Sequence, residues 1–376
     1  MDSKPRFLFS SLLFLTFFVT FAAAHIGQFD EYWKKKAELA EVKNRASYNP
    51  DPDSVTSHFN AEVHTESIDM EDDTANNTRR GLRGKRMNSK NEPCVATNPI
   101  DRCWRCRSDW SKNRKLMAKC AKGFGRHTTG GLDGRFYIVT NPADDDMVNP
   151  KKGTLRWGVI QDRPLWIVFA SDMIIRLNEE LIVNSNKTID GRGYNVRIVG
   201  GASMMLQFIH NVIITNLHIH DIVPGDGGMI RDSETHYGFR TRSDGDGISI
   251  FGSSNIWIDH VSMANCGDGL IDAIMGSTAI TISNSHFTQH NDRIILNVTL
   301  LQVTKREYSP ENIWKDWNWR SEGDLLMNGA VFVPSGVDPN TNSIDERDLI
   351  KAKPGTFVTR LTRYSGALDC VRGRPC

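Results

Sequence analysis

Four short segments of this 376-residue chain share one pattern, and their spacing restricts the fold more than any other feature. Each begins with a polar or small residue, continues through β-forming residues and ends in a polar pair; the segments are 186–191, 211–216, 255–260 and 279–284. Their starts lie 25, 44 and 24 residues apart. We interpret 44 as two turns of about 22 residues with one unmarked turn between them. Strands at such a period, separated only by turn residues, predict a solenoid.

The predicted fold class is therefore all-β, a right-handed parallel β-helix (solenoid) preceded by an irregular N-terminal leader. The alternative is a β-sandwich whose strands resemble one another by chance. Sandwich strands recur every 8–12 residues, roughly, without a longer period, so the spacing favours the β-helix.

The N-terminal part of the chain differs from the rest. Lys4 and Arg6 precede an apolar run over 7–21 and three alanines, which predicts a secretory signal peptide over residues 1–24. A membrane anchor is the alternative, but Ser and Thr interrupt the run, and no later stretch is long and apolar enough to span a bilayer. Residues 25–93 form a charged, mobile leader with a helical stretch at 31–45, and residues 94–376 form the β-helix domain. We expect a secreted, extracellular protein without a membrane segment.

Charge and cysteine content bound the partners and the compartment. The 46 Lys and Arg and the 45 Asp and Glu give a net charge of +1 and are interspersed, so we expect no nucleic-acid partner. Cys103 and Cys106 have the spacing of a zinc pair, but no second pair matches it, so disulfides are favoured in a secreted protein. The count of seven leaves one thiol unpaired, and we predict that Cys370 pairs with Cys376. Glycosylation sequons begin at Asn76, Asn186 and Asn297.

Four aspartates are predicted to form a metal site. Asp244 and Asp268 lie 24 residues apart, the offset of one coil, so they should stack on adjacent strands about 4.8 Å apart. Asp246 and Asp272 should share their face by strand alternation. Unneutralised, the carboxylates would repel one another, and Ca²⁺ can bridge oxygens across such a gap. The alternative is that these Asp-Gly pairs are only β-turn residues.

Several longer motifs carry a resemblance to a known family. They include Cys103-Trp104-Arg105-Cys106, Thr128-Thr129-Gly130-Gly131, Ser243-Asp244-Gly245-Asp246-Gly247, Ile256-Trp257-Ile258-Asp259-His260 and Asn318-Trp319-Arg320-Ser321-Glu322-Gly323-Asp324. From residue 94 onward the chain resembles the plant pectate lyases, a secreted β-helix family (polysaccharide lyase family 1) that includes pollen allergens.

The resemblance implies an activity and a cofactor. Asp244, Asp268 and Asp272 fall on the family's calcium ligands, with Asp246 as a fourth. The family cleaves the α-1,4-linked galacturonan of de-esterified pectin (polygalacturonate) by elimination, using Ca²⁺. The expected partner is therefore cell-wall pectin, bound by a monomer.

One expected element is missing. In the family an arginine, within an R-x-P-x-x-R stretch beyond the calcium site, removes the C5 proton, and this chain has no such stretch. A gap near 292–303 joins the coil that starts at Ala279 to a much later part of the family. No catalytic residue is therefore assigned, and we expect very slow cleavage or none. We expect Arg240, Arg242 and Arg293 to form salt bridges instead.

Two other functions compete with a lyase. One is a catalytically silent, wall-binding or allergen-like β-helix that still holds calcium. The other is a polygalacturonase-type hydrolase with carboxylate acid and base, whose Gly-His-Gly and Arg-Ile-Lys segments this chain lacks. Zinc binding by histidine is not favoured, because these histidines belong to separate coils: His218, His220, His260, His286 and His290.

Overall fold

The computed structural model describes residues 30–51, 94–96, 98–290 and 362–376, with short pieces at 54–55, 57–58, 312, 315, 326, 331–334, 336 and 354–358. Within this part of the chain, three parallel sheets are joined coil by coil. The predicted parallel β-helix is confirmed.

Within the described residues, four complete coils each contribute one strand to each sheet in turn. Sheet A contains β1 (Arg135–Val139), β2 (Leu165–Phe169), β5 (Lys187–Asp190), β8 (His210–Thr215), β13 (Ser254–Asp259) and β16 (Thr278–Ser283). Sheet B contains β3 (Met173–Leu177), β6 (Val196–Gly201), β9 (His218–Val223), β14 (Ser262–Ala264) and β17 (His286–Thr288). Sheet C contains β4 (Leu181–Ile182), β7 (Met204–Gln207), β12 (Ile248–Phe251) and β15 (Ile271–Ile274). Strand β1 precedes the four complete coils, and β16 and β17 follow them. The coils enclose an aliphatic core.

The interpretation of the 44-residue spacing is wrong. Ile256 in β13 pairs directly with Val212 in β8 and, on its other side, with Ile280 in β16. The 44 residues are therefore one coil with an insertion. The extra length is an excursion between β9 and β12 that carries an antiparallel hairpin, β10 (Gly228–Arg231) with β11 (Tyr237–Arg240).

Backbone conformation explains the first residue of the repeat. Asn186, Asn211 and Asn255 have φ of 59°, 63° and 55°, and Ala279 occupies the equivalent position with φ 54°. Asparagine tolerates this left-handed region better than most residues. The asparagine side chains also stack, since the Asn211 amide donates to Asn186 Oδ1 at 2.8 Å. Asn186 is thus engaged within the stack, which disfavours its predicted use as a glycosylation site; Asn76 and Asn297 lie outside the described residues.

A disulfide-linked segment covers the outer face of sheet A. It contains helix α2 (Pro99–Trp104) and two 3-10 turns (Arg114–Lys119 and Gly123–Gly125), and it is followed between β1 and β2 by helix α3 (Leu155–Val159). Its Trp104 packs in one buried cluster with Trp166 and Trp257 of sheet A. The central strands β2, β5, β8 and β13 of sheet A are therefore buried on both faces over most of their length.

The cysteine pairing agrees with an oxidising compartment. Disulfides join Cys94 to Cys106 and Cys103 to Cys120, so the zinc-like spacing is not used for metal. The predicted Cys370–Cys376 disulfide is confirmed. Cys266 is the unpaired thiol, and burial raises its pKa to about 12.

The predicted leader helix is confirmed as α1 (Glu31–Ser47), capped by Asp30. The helix packs on the β-helix, whereas most of the remaining leader, for which mobility is expected, lies outside the described residues. Trp33 is 1% exposed and contacts a cluster with Ile182 and Ile230, and Lys36 Nζ donates to Asn184 at 2.9 Å. Short helical pieces at 54–55 and 57–58 and a 3-10 turn at Gly355–Phe357 are also described. None of the described helices could cross a bilayer.

Trp33→Ala tests the docking of α1. Removing a fully buried indole should destabilise the docked helix by about 3–5 kcal/mol, while Leu39→Ala, on the exposed side of the same helix at 60% exposure, should change little. Limited proteolysis would detect faster cleavage within α1 only in the Trp33 variant. Equal protection of both variants would contradict the docking energy assigned to Trp33.

Candidate metal centre

Two adjacent coils bring three predicted ligands together. Asp244 and Asp246 lie in the extended segment before β12, and Asp268 lies in the bend before β15. The coils are joined here by backbone hydrogen bonds, from Asp268 N to Gly245 O at 3.3 Å and from Gly247 N to Gly269 O at 2.9 Å. One carboxylate oxygen of each aspartate lies within 4.8 Å of the others.

The premise of strand alternation does not apply to these residues. Asp244, Asp246 and Asp268 all precede their strands, so the loops and the stacking of coils determine where they point. Asp272 does lie in a strand, where it pairs with Ser249 across β12 and β15. It is not one of the three converging carboxylates, but it faces Gly269 from one side as Asp246 does from another.

Gly269 and Gly245 permit this close approach. Any Cβ at Gly269 would collide with the Asp272 carboxylate. Gly245 has φ of 102° and packs against Pro224, a conformation that other residues rarely adopt. Asp244 and Gly245 lie in an irregular segment and Asp268 lies in a bend, and the two glycines are the positions that allow the carboxylates to lie close together.

Asp246 is the most constrained carboxylate of the cluster. It is 3% exposed, and its oxygens accept hydrogen bonds from Ser249 Oγ at 2.7 Å and from Gly269 N at 2.8 Å. Burial, with a smaller contribution from the neighbouring Asp244 and Asp272, raises its pKa to about 7 despite these hydrogen bonds. The hydrogen bonds therefore orient the ionised carboxylate, while burial and the neighbouring carboxylates destabilise it.

Two serines that the sequence analysis did not identify hold Asp246 in position. Ser249 Oγ, which donates to Asp246, also lies 2.8 Å from Ser203 Oγ of the preceding coil. Ser249 could have been suspected from its place in the motif that follows Asp246. Ser203 could not, because 46 residues separate it from Ser249 and no repeat marks it.

The cluster fits a hard cation such as Ca²⁺. Two oxygens on opposite sides of a calcium ion lie about 4.6–5.2 Å apart, given Ca–O distances of about 2.3–2.6 Å. The three oxygens lie within 4.8 Å of one another, so one such ion can contact all of them. The donors are carboxylates, which suit calcium better than zinc.

The other candidate residues are engaged elsewhere. Arg240 forms the expected salt bridge, from Nε to Glu180 Oε2 at 2.8 Å. Arg242 is exposed and has no ion pair within the described residues, contrary to expectation; Arg293 lies outside them. His260 is fully buried and contacts Asp259 and Asp101. Within the described part of the chain, no group containing histidine could hold a metal.

Comparison with known proteins gives one consistent result. Residues 25–82 match the family described as "Pectate lyase, N terminus". A pectate lyase of Lilium longiflorum is 49% identical, and the alignment covers 100% of this chain and 100% of that relative. The probable pectate lyase P59 of Solanum lycopersicum is 45% identical, with 99% of both chains covered. The crystal structure of jun a 1, the major allergen from cedar pollen, matches with a TM-score of 0.60 and 31% identity over 72% of this chain and 99% of that one.

Asp246→Asn tests the electrostatic strain of the metal-free cluster. The carboxyl pKa is raised from 3.8 to about 7, so ionisation destabilises the fold as pH rises through that range. In EDTA at pH 8, the free energy of unfolding of the variant should exceed that of the parent by about 1–2 kcal/mol. The difference should be smaller at pH 4. Thermal unfolding measures this, with the exposed Asp133→Asn as the control. A variant that melts at a lower temperature than the parent at pH 8 would contradict this prediction.

Proposed function

Because the chain belongs to the pectate lyase family, we propose that it binds de-esterified cell-wall pectin through a calcium ion held by Asp244, Asp246 and Asp268, with Asp272 beside them. The observation that carries this proposal is the convergence of three carboxylate oxygens within 4.8 Å. When bound, calcium would neutralise the repulsion between these carboxylates and the galacturonate carboxylate and would draw charge from C5.

The protein's own residues divide this task. Asp246 is buried and oriented by Ser249 and Gly269 N, so its carboxylate would be a fixed ligand on the buried side of the ion. Asp244 is exposed and Asp268 is half-buried, so their carboxylates face the side from which a polysaccharide would approach. Without a cation, this surface would repel polygalacturonate.

Elimination also requires a base at C5, and we propose that this chain lacks one. The resemblance implies an arginine in an R-x-P-x-x-R stretch, which the sequence does not contain. Arg240 is committed to Glu180 and Gln207. The loss of a positioned base removes roughly 10²–10⁴-fold in rate.

The length of the chain supports a missing segment. The alignment with the lily relative runs over 447 positions, whereas this chain has 376 residues, so at least 71 positions (447 − 376) have no counterpart here. At the observed offsets of 24 and 25 residues between paired strands of sheet A, this equals about three coils. We place the gap near 292–303, after the last described coil.

A wall-binding protein with little or no lyase activity is the second candidate function. It is favoured by the combination of a complete acidic cluster with an absent base. Secretion to the cell wall is part of the same proposal, supported by the signal-like residues 1–24. Membership of the pectate lyase family leaves the polygalacturonase alternative without support.

Asp268→Ala tests the metal site. Removal of one of three converging carboxylates should weaken calcium binding at least about tenfold, because each ligand contributes charge and coordination. Calorimetric titration with Ca²⁺ measures the affinity, and Asp133→Ala, an exposed aspartate outside the cluster, should bind as the parent does. Unchanged binding by the Asp268 variant would place the site elsewhere.

Cleavage of polygalacturonate tests the missing base. We expect the unsaturated product, measured by its absorbance, to form at a rate roughly 10²–10⁴-fold below that of the lily relative under the same conditions with calcium. Calcium-dependent binding of polygalacturonate, measured on the same sample, should persist. A rate equal to that of the relative would show that another residue serves as the base.

A further inference from the structure

The segment that covers sheet A carries a concentrated positive charge. Residues 102–135 contain ten Lys and Arg but only two Asp, in a chain whose net charge is +1. The expectation that charges are interspersed throughout is therefore wrong for this segment. The disulfides Cys94–Cys106 and Cys103–Cys120 cross-link the segment internally, and its Trp104 packs against Trp166 and Trp257 of sheet A, which holds the segment on the sheet.

Five of these cations line one surface cleft of about 460 Å³. No carboxylate lines it; its walls include Arg107, Lys112, Arg114, Lys115, Lys119 and Phe136. This cleft is formed by the covering segment and the first strand of sheet A. The acidic cluster belongs to the loops before β12 and β15 and shares no residue with it.

Two of the cations are available for a ligand. Arg107 pairs with Asp109 at 2.8 Å and Arg114 with Asp190 at 2.9 Å. Lys112 and Lys119 are exposed and have no carboxylate partner within the described residues.

Lys115 and Phe136 form the floor of the cleft. Lys115 Nζ donates to Leu132 O at 2.7 Å and to Gly134 O at 2.5 Å, which fixes its ammonium 5.4 Å from the Phe136 ring centroid. The Phe136 ring is 51% exposed although it lies in a strand. The cleft therefore offers an aromatic surface flanked by fixed and free ammonium groups.

We propose that this cleft binds an acidic oligosaccharide, a polygalacturonate segment, at a site separate from the acidic cluster and without calcium. Uronate carboxylates would contact Lys112 and Lys119 while the C–H face of a sugar ring lies on Phe136. Nucleic acid fits less well, since its sites combine many phosphate contacts with several stacking aromatics, and this cleft offers one exposed ring. The choice of ligand rests on the function proposed above; the charge of the cleft does not.

Binding in EDTA isolates this cleft, because the metal-free acidic cluster repels the same ligand. Decagalacturonate is titrated into the full chain at low salt. Lys112→Ala/Lys119→Ala should bind roughly two- to thirty-fold more weakly than the parent, with a shallower dependence of affinity on salt. Lys151→Ala/Lys152→Ala, which removes the same charge from two exposed lysines elsewhere, should bind as the parent does. Phe136→Ala should also weaken binding.

The remaining outcomes distinguish binding at this cleft from binding at the acidic cluster and from a nucleic-acid site. Asp268→Ala should keep its EDTA binding even if it loses calcium, so a failure of the calcium proposal would not resemble a failure of this one. The proposal is overturned if the parent does not bind in EDTA, if both double variants bind equally, or if Asp268→Ala abolishes the binding. Tighter binding of a single-stranded DNA of equal charge would identify a nucleic-acid site instead.

Discussion

The hydrogen-bonded register between successive coils is the constraint on which this structure depends. In sheet A it places Ile256 between Val212 and Ile280, so that one aliphatic column runs through the core. In sheet C the same stacking aligns β12 with β15 and brings the loops before them into contact. The acidic cluster is a consequence of this alignment, since residues 24 positions apart in sequence become neighbours.

The sequence predicted those features that the register repeats. The asparagine at the start of three coils, replaced by Ala279 in a fourth, marks a left-handed backbone position, and the offsets of 25 and 24 residues correspond to real coils. The 44-residue interval could not be interpreted from length alone, because a solenoid accepts a hairpin insertion in one coil without a change in the stacking around it. The spacing in the sequence includes the residues of the inserted hairpin, whereas the register depends only on residues that pair between coils.

The composition of the site was more predictable than its geometry. Asp244 and Asp268 converge as their spacing indicated, but loops rather than strand alternation set their direction. Asp272 lies opposite Ser249 instead of among the converging oxygens. Such details depend on where a bend ends and a strand begins, and sequence patterns locate these boundaries to within a few residues at best.

The acidic cluster and the base that we propose is absent would belong to different coils of the solenoid. Each coil contacts only its neighbours, so the loss of later coils leaves the earlier ones in place. The coils of β12 and β15 retain β7 below them and the hydrogen bonds that orient Asp246. The proposed loss of about three coils beyond β17, at least 71 positions, would therefore leave the arrangement of the carboxylates unchanged. On this proposal, cation binding and proton removal would be separable, because different coils would supply them.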